Sequence, residues 1–287
     1  MTHTIDARRG QNNGHAYATL AILEGWVSQM AGKGYAGVEI LVVEEIKGGV
    51  YMREMWVDIG ELGMVNATAL PLKNGKFAVI DTGGTPGDGE NFAKRVAEMG
   101  EVAFVFCTHE HGDHLQGNGF FHCPIISSGL AKQAIQKMLN AGIPNVVFSE
   151  RLELFIGEPL IMQLMGGHCP GVSVLYLPER KLLFTGDLIF NGRMPWMGQA
   201  DFRLWIDNLD QLLSWDVETV VPGHGPVGGK EIIVAQKQFL VSFRDEVRQA
   251  AKLGQTEEQI LHALCAKHEV RDQWQPMLQR AVQLALV

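Results

Sequence analysis

The stretch Val102–Cys107 is wholly apolar and runs without a break into Thr108-His109-Glu110-His111-Gly112-Asp113-His114. An apolar run of this kind reads as a strand buried on both faces. Its end delivers three imidazoles and two carboxylates in quick succession. The arrangement constrains the fold because it recurs. Leu160–Leu164 precedes His168, Leu182–Phe184 precedes Asp187, and Thr219–Val221 precedes His224 in Pro222-Gly223-His224-Gly225. Four apolar strands thus end at Gly-flanked residues of metal-ligand type. If the strands are neighbours, their ends gather these groups around one point, and Gly lets the turns approach closely.

Imidazoles and carboxylates without thiolates suit zinc, iron or manganese. In an extended stretch His109 and His111 point to the same side, as residues i and i+2 do. Asp113 and His114 then start a turn and can face a second ion. An open catalytic zinc site usually takes three protein ligands, so this set is too large for one ion. Two metals sharing Asp187 and a water account for it more simply. His3, His15, His122, His262 and His268 lack such a context and read as surface or structural residues.

The rest of the chain narrows the class. Its 287 residues, 46% of them hydrophobic, can bury roughly 75% of the unfolded surface, so no disulfide staples are needed to fold. Cys107, Cys123, Cys169 and Cys265 form no C-x-x-C pair, which excludes a zinc ribbon or a thioredoxin-like motif. A net charge of −8 argues against a chain that lives on phosphate backbones. No apolar run approaches the ~20 residues that span a bilayer. The apolar stretch Ala16–Leu23 reads as part of a helix rather than a leader, because Glu24 follows at once and no cleavage site succeeds it. The expectation is a cytoplasmic protein acting on a small molecule, with neither nucleic acid nor membrane as partner; the helical tail offers a possible homodimer face.

Along the chain, residues 1–36 read as a tail with a short helix, 37–229 as the catalytic domain, and 230–287 as a helical extension packing on it. Short strands are expected at Val38–Val43, Val50–Val57, Asn66–Leu72 and Phe77–Ile80, with Asn74-Gly75 as a hairpin turn. Helices are expected over Glu90–Met99, Leu130–Ala141 and Leu204–Leu213. A further strand is expected at Val172–Leu177. In the tail, Thr256-Glu257-Glu258-Gln259 fits a capping box, and Gly254 a helix stop. Two sheets with helices packed outside satisfy this α+β order.

The motif His109-x-His111-x-Asp113-His114, followed by His168, Asp187 and His224 in that order, resembles the metallo-β-lactamase superfamily over roughly Gly37 to Gly229. The resemblance implies a four-layer αββα sandwich with a metal site at one edge. It implies one metal, zinc in the first instance, on His109, His111 and His168, and a second on Asp113, His114 and His224, with Asp187 bridging. Asp81, in Asp81-Thr82-Gly83, stands where the family has a carboxylate behind the ligands. Asp187 is similar to the residue of glyoxalase II, lactonases and related hydrolases, whereas class B1 lactamases have Cys there. Only 18 residues separate His168 from Asp187, too few for the inserted domain of the RNA-processing branch.

The implied activity is hydrolysis of an ester, thioester or lactone by a metal-bridging hydroxide, with Asp113 holding it and passing on a proton. A β-lactamase and a mononuclear iron persulfide dioxygenase are the alternatives. Arg193 and Trp196, in the loop soon after Asp187, are expected to bind substrate, the first through a carboxylate and the second as an apolar wall. Met64, Val65 and Asn66 are expected to face the same cleft.

Overall fold

The computed structural model describes residues 42–46, 50–55, 65–138 and 142–287. The expected tail helix, the start of the first expected strand and Met64 lie outside the described residues. Leu41–Val287 forms one compact unit.

Among the described residues, twelve strands carry the fold. β1 (Val42–Ile46), β2 (Val50–Met55), β3 (Val65–Pro71), β4 (Phe77–Ile80), β5 (Val102–Phe106), β6 (Ile125–Ser128) and β7 (Val146–Phe148) make one half. β8 (Arg151–Phe155), β9 (Pro159–Leu164), β10 (Ser173–Leu177), β11 (Leu182–Phe190) and β12 (Thr219–His224) make the other. The order is β7-β6-β5-β4-β3-β12-β11-β10-β9-β8, with the β1–β2 hairpin paired onto β3. Among the described strands, the halves are paired along the β12–β3 seam, where His224 pairs with Val65. The two expected sheets therefore meet at an edge, and His224, a residue of metal-ligand type, sits on the seam.

The helices are α1 (Pro86–Met99), α2 (Gly129–Ile135), α3 (Phe202–Ser214), α4 (Lys230–Lys252), α5 (Glu257–Lys267) and α6 (Gln275–Leu286). Strand periodicity explains their placement. Successive side chains point to opposite faces, and here both faces are apolar. In β5, Phe104 and Phe106 face a core shared with Leu175, Leu182 and Phe184 of the other half. Val105 and Cys107 face instead a core built with Phe92 and Val96 of α1 and Ile135 of α2. In β11 and β12, Leu183 and Val220 face a third core with Trp205 and Leu209 of α3. Three stacked cores between four layers make the αββα sandwich. Leu264 of α5 and Leu278 and Val282 of α6 belong to that third core, so the helical tail is packed into the same body.

Several boundaries differ from the sequence expectation. α2 ends at Ile135, short of the expected Ala141. β6, β7 and β8 were not foreseen; β7 and β8 are short edge strands with alternately or mostly exposed residues, which blunts their apolar signal. β11 continues through Asp187 to Phe190, so Asp187 lies inside a strand rather than beyond its end. Gly186 makes this possible: at φ 49° it shifts the register against β12. The capping box of α5 is present, with Thr256 Oγ1 accepting from Gln259 N–H and Gln259 Oε1 accepting from Thr256 N–H.

Candidate metal centre

The loop after β5 carries His109, His111, Asp113 and His114, and it is anchored from beneath by Asp81 at the end of β4. Thr108 N–H donates to Asp81 Oδ1 at 2.8 Å, and the Thr108 hydroxyl donates to Asp81 Oδ2 at 2.7 Å. His114 Nδ1–H donates to the same Oδ2 at 2.8 Å. Because the Thr108 hydroxyl proton is committed to Asp81, its oxygen accepts from His109 Nδ1–H at 2.9 Å. Both rings therefore turn Nε2 inward, toward Asp187. His111 is reversed: its Nε2–H donates to Gln199 Oε1 at 2.9 Å, leaving Nδ1 facing His168 Nε2 at 3.0 Å. Such outer partners fix tautomer and ring orientation in metal sites.

The other ligand-type residues arrive from three further elements. His168 sits on the loop after β9, held by α3. Asp201 N–H donates to Gly167 O at 2.7 Å, and Asn208 donates to Met165 O at 2.7 Å. The Trp205 ring packs edge-on against His168, with its Nε1–H on Leu188 O at 3.0 Å. His224 ends β12 and stacks on Phe190 at 4.8 Å between ring centres. Asn66, expected to face the cleft, is spent on that loop instead: its amide donates to the carbonyls of Pro222 (3.0 Å) and Gly225 (2.8 Å).

Asp187 stands at the centre. Its Oδ2 lies 3.4 Å from His109 Nε2 and 3.4 Å from His168 Nε2. Its Oδ1 lies 3.1 Å from His114 Nε2 and 3.3 Å from His224 Nε2. Asp113 Oδ2 completes the second side, 3.5 Å from His224 Nε2 and 3.8 Å from His114 Nε2. The donor atoms gather into one group of His109, His111, His168 and Asp187 and another of Asp113, His114 and His224. The grouping of Asp81 with His109 and His114 is of another kind, since Thr108 and direct hydrogen bonds account for it. Gly223 is required for the crowding: a Cβ there would lie 2.0 Å from Asp187 Oδ1.

This donor set fits metal ions. His109 Nε2, His114 Nε2 and Asp187 Oδ1 are buried and have no hydrogen-bond partner. A buried polar atom without a partner costs roughly 1–3 kcal/mol, so three aimed into one space call for a ligand. The electrostatics agree. Burial alone would raise the Asp187 carboxyl, but His224, His114 and His109 outweigh it and hold it well below the ordinary carboxylate range. Burial keeps His168 well below the usual imidazole value, hence neutral, the form that ligates. Burial would also lower His114, yet Asp187, Asp113 and Asp81 drive it well above its usual value. The carboxylates thus make a buried site that demands positive charge.

Arg193 and Trp196 are brought to the mouth. Trp196 packs edge-on against His111 at 4.8 Å and lies 5.8 Å from His168. With Arg193 it lines a pocket that reaches His224. Its far side comes from the segment between α5 and α6, including His268, Arg271 and Trp274. Sequence reasoning missed Thr108, Gln199 and this segment. The position of Thr108 immediately before the His109 motif was the available signal for it; no local pattern marks Gln199 or Arg271.

A sequence model described as the metallo-beta-lactamase superfamily matches residues 129–224. A metallo-beta-lactamase type 2 of Bacteroides fragilis is 26% identical over 229 residues, covering 76% of this chain and 92% of that protein. A hydroxyacylglutathione hydrolase of Rhizobium meliloti is 29% identical over 154 residues, 51% of this chain and 55% of its own length. Among solved structures, a metallo-beta-lactamase from Pontibacter korlensis superposes with a TM-score of 0.64 at 24% identity, covering 70% of this chain and 99% of that one. DIM-1 metallo-beta-lactamase gives 0.64 at 20% identity, over 72% and 99%. Fold, the order of the donor residues and these likenesses converge on the metallo-beta-lactamase superfamily and support membership of it.

Proposed function

We propose that this chain is a binuclear metallohydrolase, with zinc as the first candidate metal, that cleaves an ester, thioester or lactone of a small molecule. The observation that carries the reading is the division of Asp187. One oxygen faces His109 and His168, the other His114 and His224, as a residue shared by two ions requires. His109, His111 and His168 would hold one ion, and Asp113, His114 and His224 the other.

When bound, the ions supply Lewis-acid polarisation of a scissile carbonyl and acidify water to a pKa of about 7. The chain's own residues do the rest. Asp81 and Thr108 hold His109 and His114 with Nε2 inward. Asp113 is the carboxylate of the cluster with access to solvent, its side chain 17% exposed against 3% for Asp187. Its Oδ2 takes a proton from the attacking water and returns it to the leaving group. Trp196 closes one side against solvent.

The names of the relatives support hydrolysis and divide over the bond. Coverage favours the β-lactamase reading, since the type 2 relative matches over most of its length. Asp187 supports the thioester and ester reading, because the resemblance to glyoxalase II and related hydrolases includes a carboxylate at this position. The test is a panel of 4-nitrophenyl esters, acyl thioesters, lactones and nitrocefin with metal-loaded protein. Turnover of an ester, thioester or lactone that falls at least 100-fold in Asp113→Ala is expected. Turnover of nitrocefin alone would reassign the substrate, and full activity in folded, metal-loaded Asp113→Ala would refute the proton-transfer role.

A further inference from the structure

We infer that Glu110 is a positioning residue for the group of His109, His111 and His168: its buried carboxylate ties the segment carrying the first two to the loop carrying the third. The inference rests on the two-ion reading for its consequence, while the tie itself stands without it. Glu110 lies between two residues of the cluster, yet it belongs to none of the donor groupings. It is 6% exposed. Its Oε1 accepts from Gly171 N–H at 3.3 Å. The Cys169 thiol, kept protonated by burial and by the Glu110 carboxylate, is a second donor, from the residue next to His168. The fit is close: a Cβ at Gly171 would lie 2.2 Å from Glu110 Oε2.

Packing does not explain a carboxylate at this place. Burying one is costly unless it is hydrogen-bonded, and an apolar side chain of similar size would fill the space without that cost. What the carboxylate adds is a directed bond between segments 61 positions apart. The same loop is fastened elsewhere by other means. The hydroxyls of Ser128 and Ser173 donate to Gly171 O at 2.8 and 3.1 Å. Ser173 N–H donates to Thr108 O at 2.8 Å. Those bonds hold the loop where it enters β10. Glu110 holds it nearer His168, directly from the segment that presents His109 and His111.

The consequence is selective. All three imidazoles of the first group sit on the two segments that Glu110 joins. In the second group His224 comes from β12, and His114 is steadied by Asp81. Loss of an outer partner lowers metal affinity by about 10–100-fold, and here the loss falls on one side of Asp187.

The experiment measures zinc affinity by chelator competition in two backgrounds. His224→Ala leaves the first group whole, and His168→Ala the second. Adding Glu110→Ala is expected to weaken zinc at least tenfold in the first background and less than twofold in the second. No loss in the first background, or a loss as large in the second, would overturn the inference, because general destabilisation does not choose a side. A metal-free arm follows exchange of the Gly171 amide proton by NMR, expected to be at least tenfold faster in Glu110→Ala than in the wild type. Unchanged exchange would also overturn the inference. Should Glu110→Ala fail to fold, Glu110→Asp, one methylene shorter and out of reach of Gly171 N–H, takes its place with the same expectations. A wild type that takes up fewer than two ions would sink the two-ion reading, and the first-group affinity and the Gly171 exchange would still decide this one.

Discussion

Asp81→Asn isolates what the buried carboxylate behind the histidines does. The substitution keeps the shape, and Asn tolerates the φ of 53° that Asp81 adopts. It removes one acceptor. If the amide oxygen takes the place of Oδ2, the Thr108 hydroxyl and His114 keep a partner, but the new NH2 faces Thr108 N–H, formerly 2.8 Å from Oδ1. The reverse orientation sets NH2 against two donors and costs more. The cheaper arrangement leaves one buried donor unpaired, for about 1–3 kcal/mol. At roughly 2–4 °C per kcal/mol for a unit of this size, Tm falls by about 2–12 °C. His114 also exchanges a charge-assisted bond for a neutral one, so its Nε2 is held less firmly. Loss of an outer partner of this kind lowers metal affinity by about 10–100-fold. Chelator competition on wild type and variant reads the affinity, and thermal unfolding reads the fold. A variant with lowered Tm and metal affinity within twofold of wild type would show that Asp81 supports the fold alone.

Other perturbations follow from the same geometry. Gly223→Ala places a methyl 2.0 Å from Asp187 Oδ1, so the shared carboxylate must move; metal content by elemental analysis is expected to drop on both sides of it, with about 1–3 kcal/mol lost in denaturant unfolding. Trp205→Ala empties a fully buried site under the His168 loop and frees the Leu188 carbonyl, for about 3–5 kcal/mol in urea unfolding; a loss under 1 kcal/mol would contradict the packing. Removing metal with a chelator takes away a ligand of the folded state worth about 4 kcal/mol at a thousandfold excess over Kd, so Tm is expected to fall reversibly and return on adding zinc.

The gathering of these His and Asp side chains was legible because their chemistry is compressed into short, Gly-flanked motifs at or near strand ends. His109 through His114 announce themselves, and His168, Asp187 and His224 follow by position. The four layers were legible because β5 and β12 are apolar on both faces, which demands cover on each. What escaped was what the chain brings together over distance. Thr108 matters only because Asp81, 27 positions earlier, folds beneath it. Gln199 meets His111 across 88 positions. Asn66 has the polarity of a cleft residue, yet its amide is needed to hold the His224 loop. Arg271 sits in a polar segment of the tail that gains meaning only once α6 docks beside the Trp196 loop. Asp187 lies inside β11 because Gly186 bends the strand, a feature no apolar run reveals.

In the proposed enzyme Asp187 joins two ligand groups, each holding its own ion. Elemental analysis of the protein as purified, beside His224→Ala, tests it most directly, because His224 belongs to one group alone. About two metal ions per chain in the wild type and about one in folded His224→Ala are the expected contents. One ion or fewer in the wild type, or two retained in His224→Ala, would contradict the shared site.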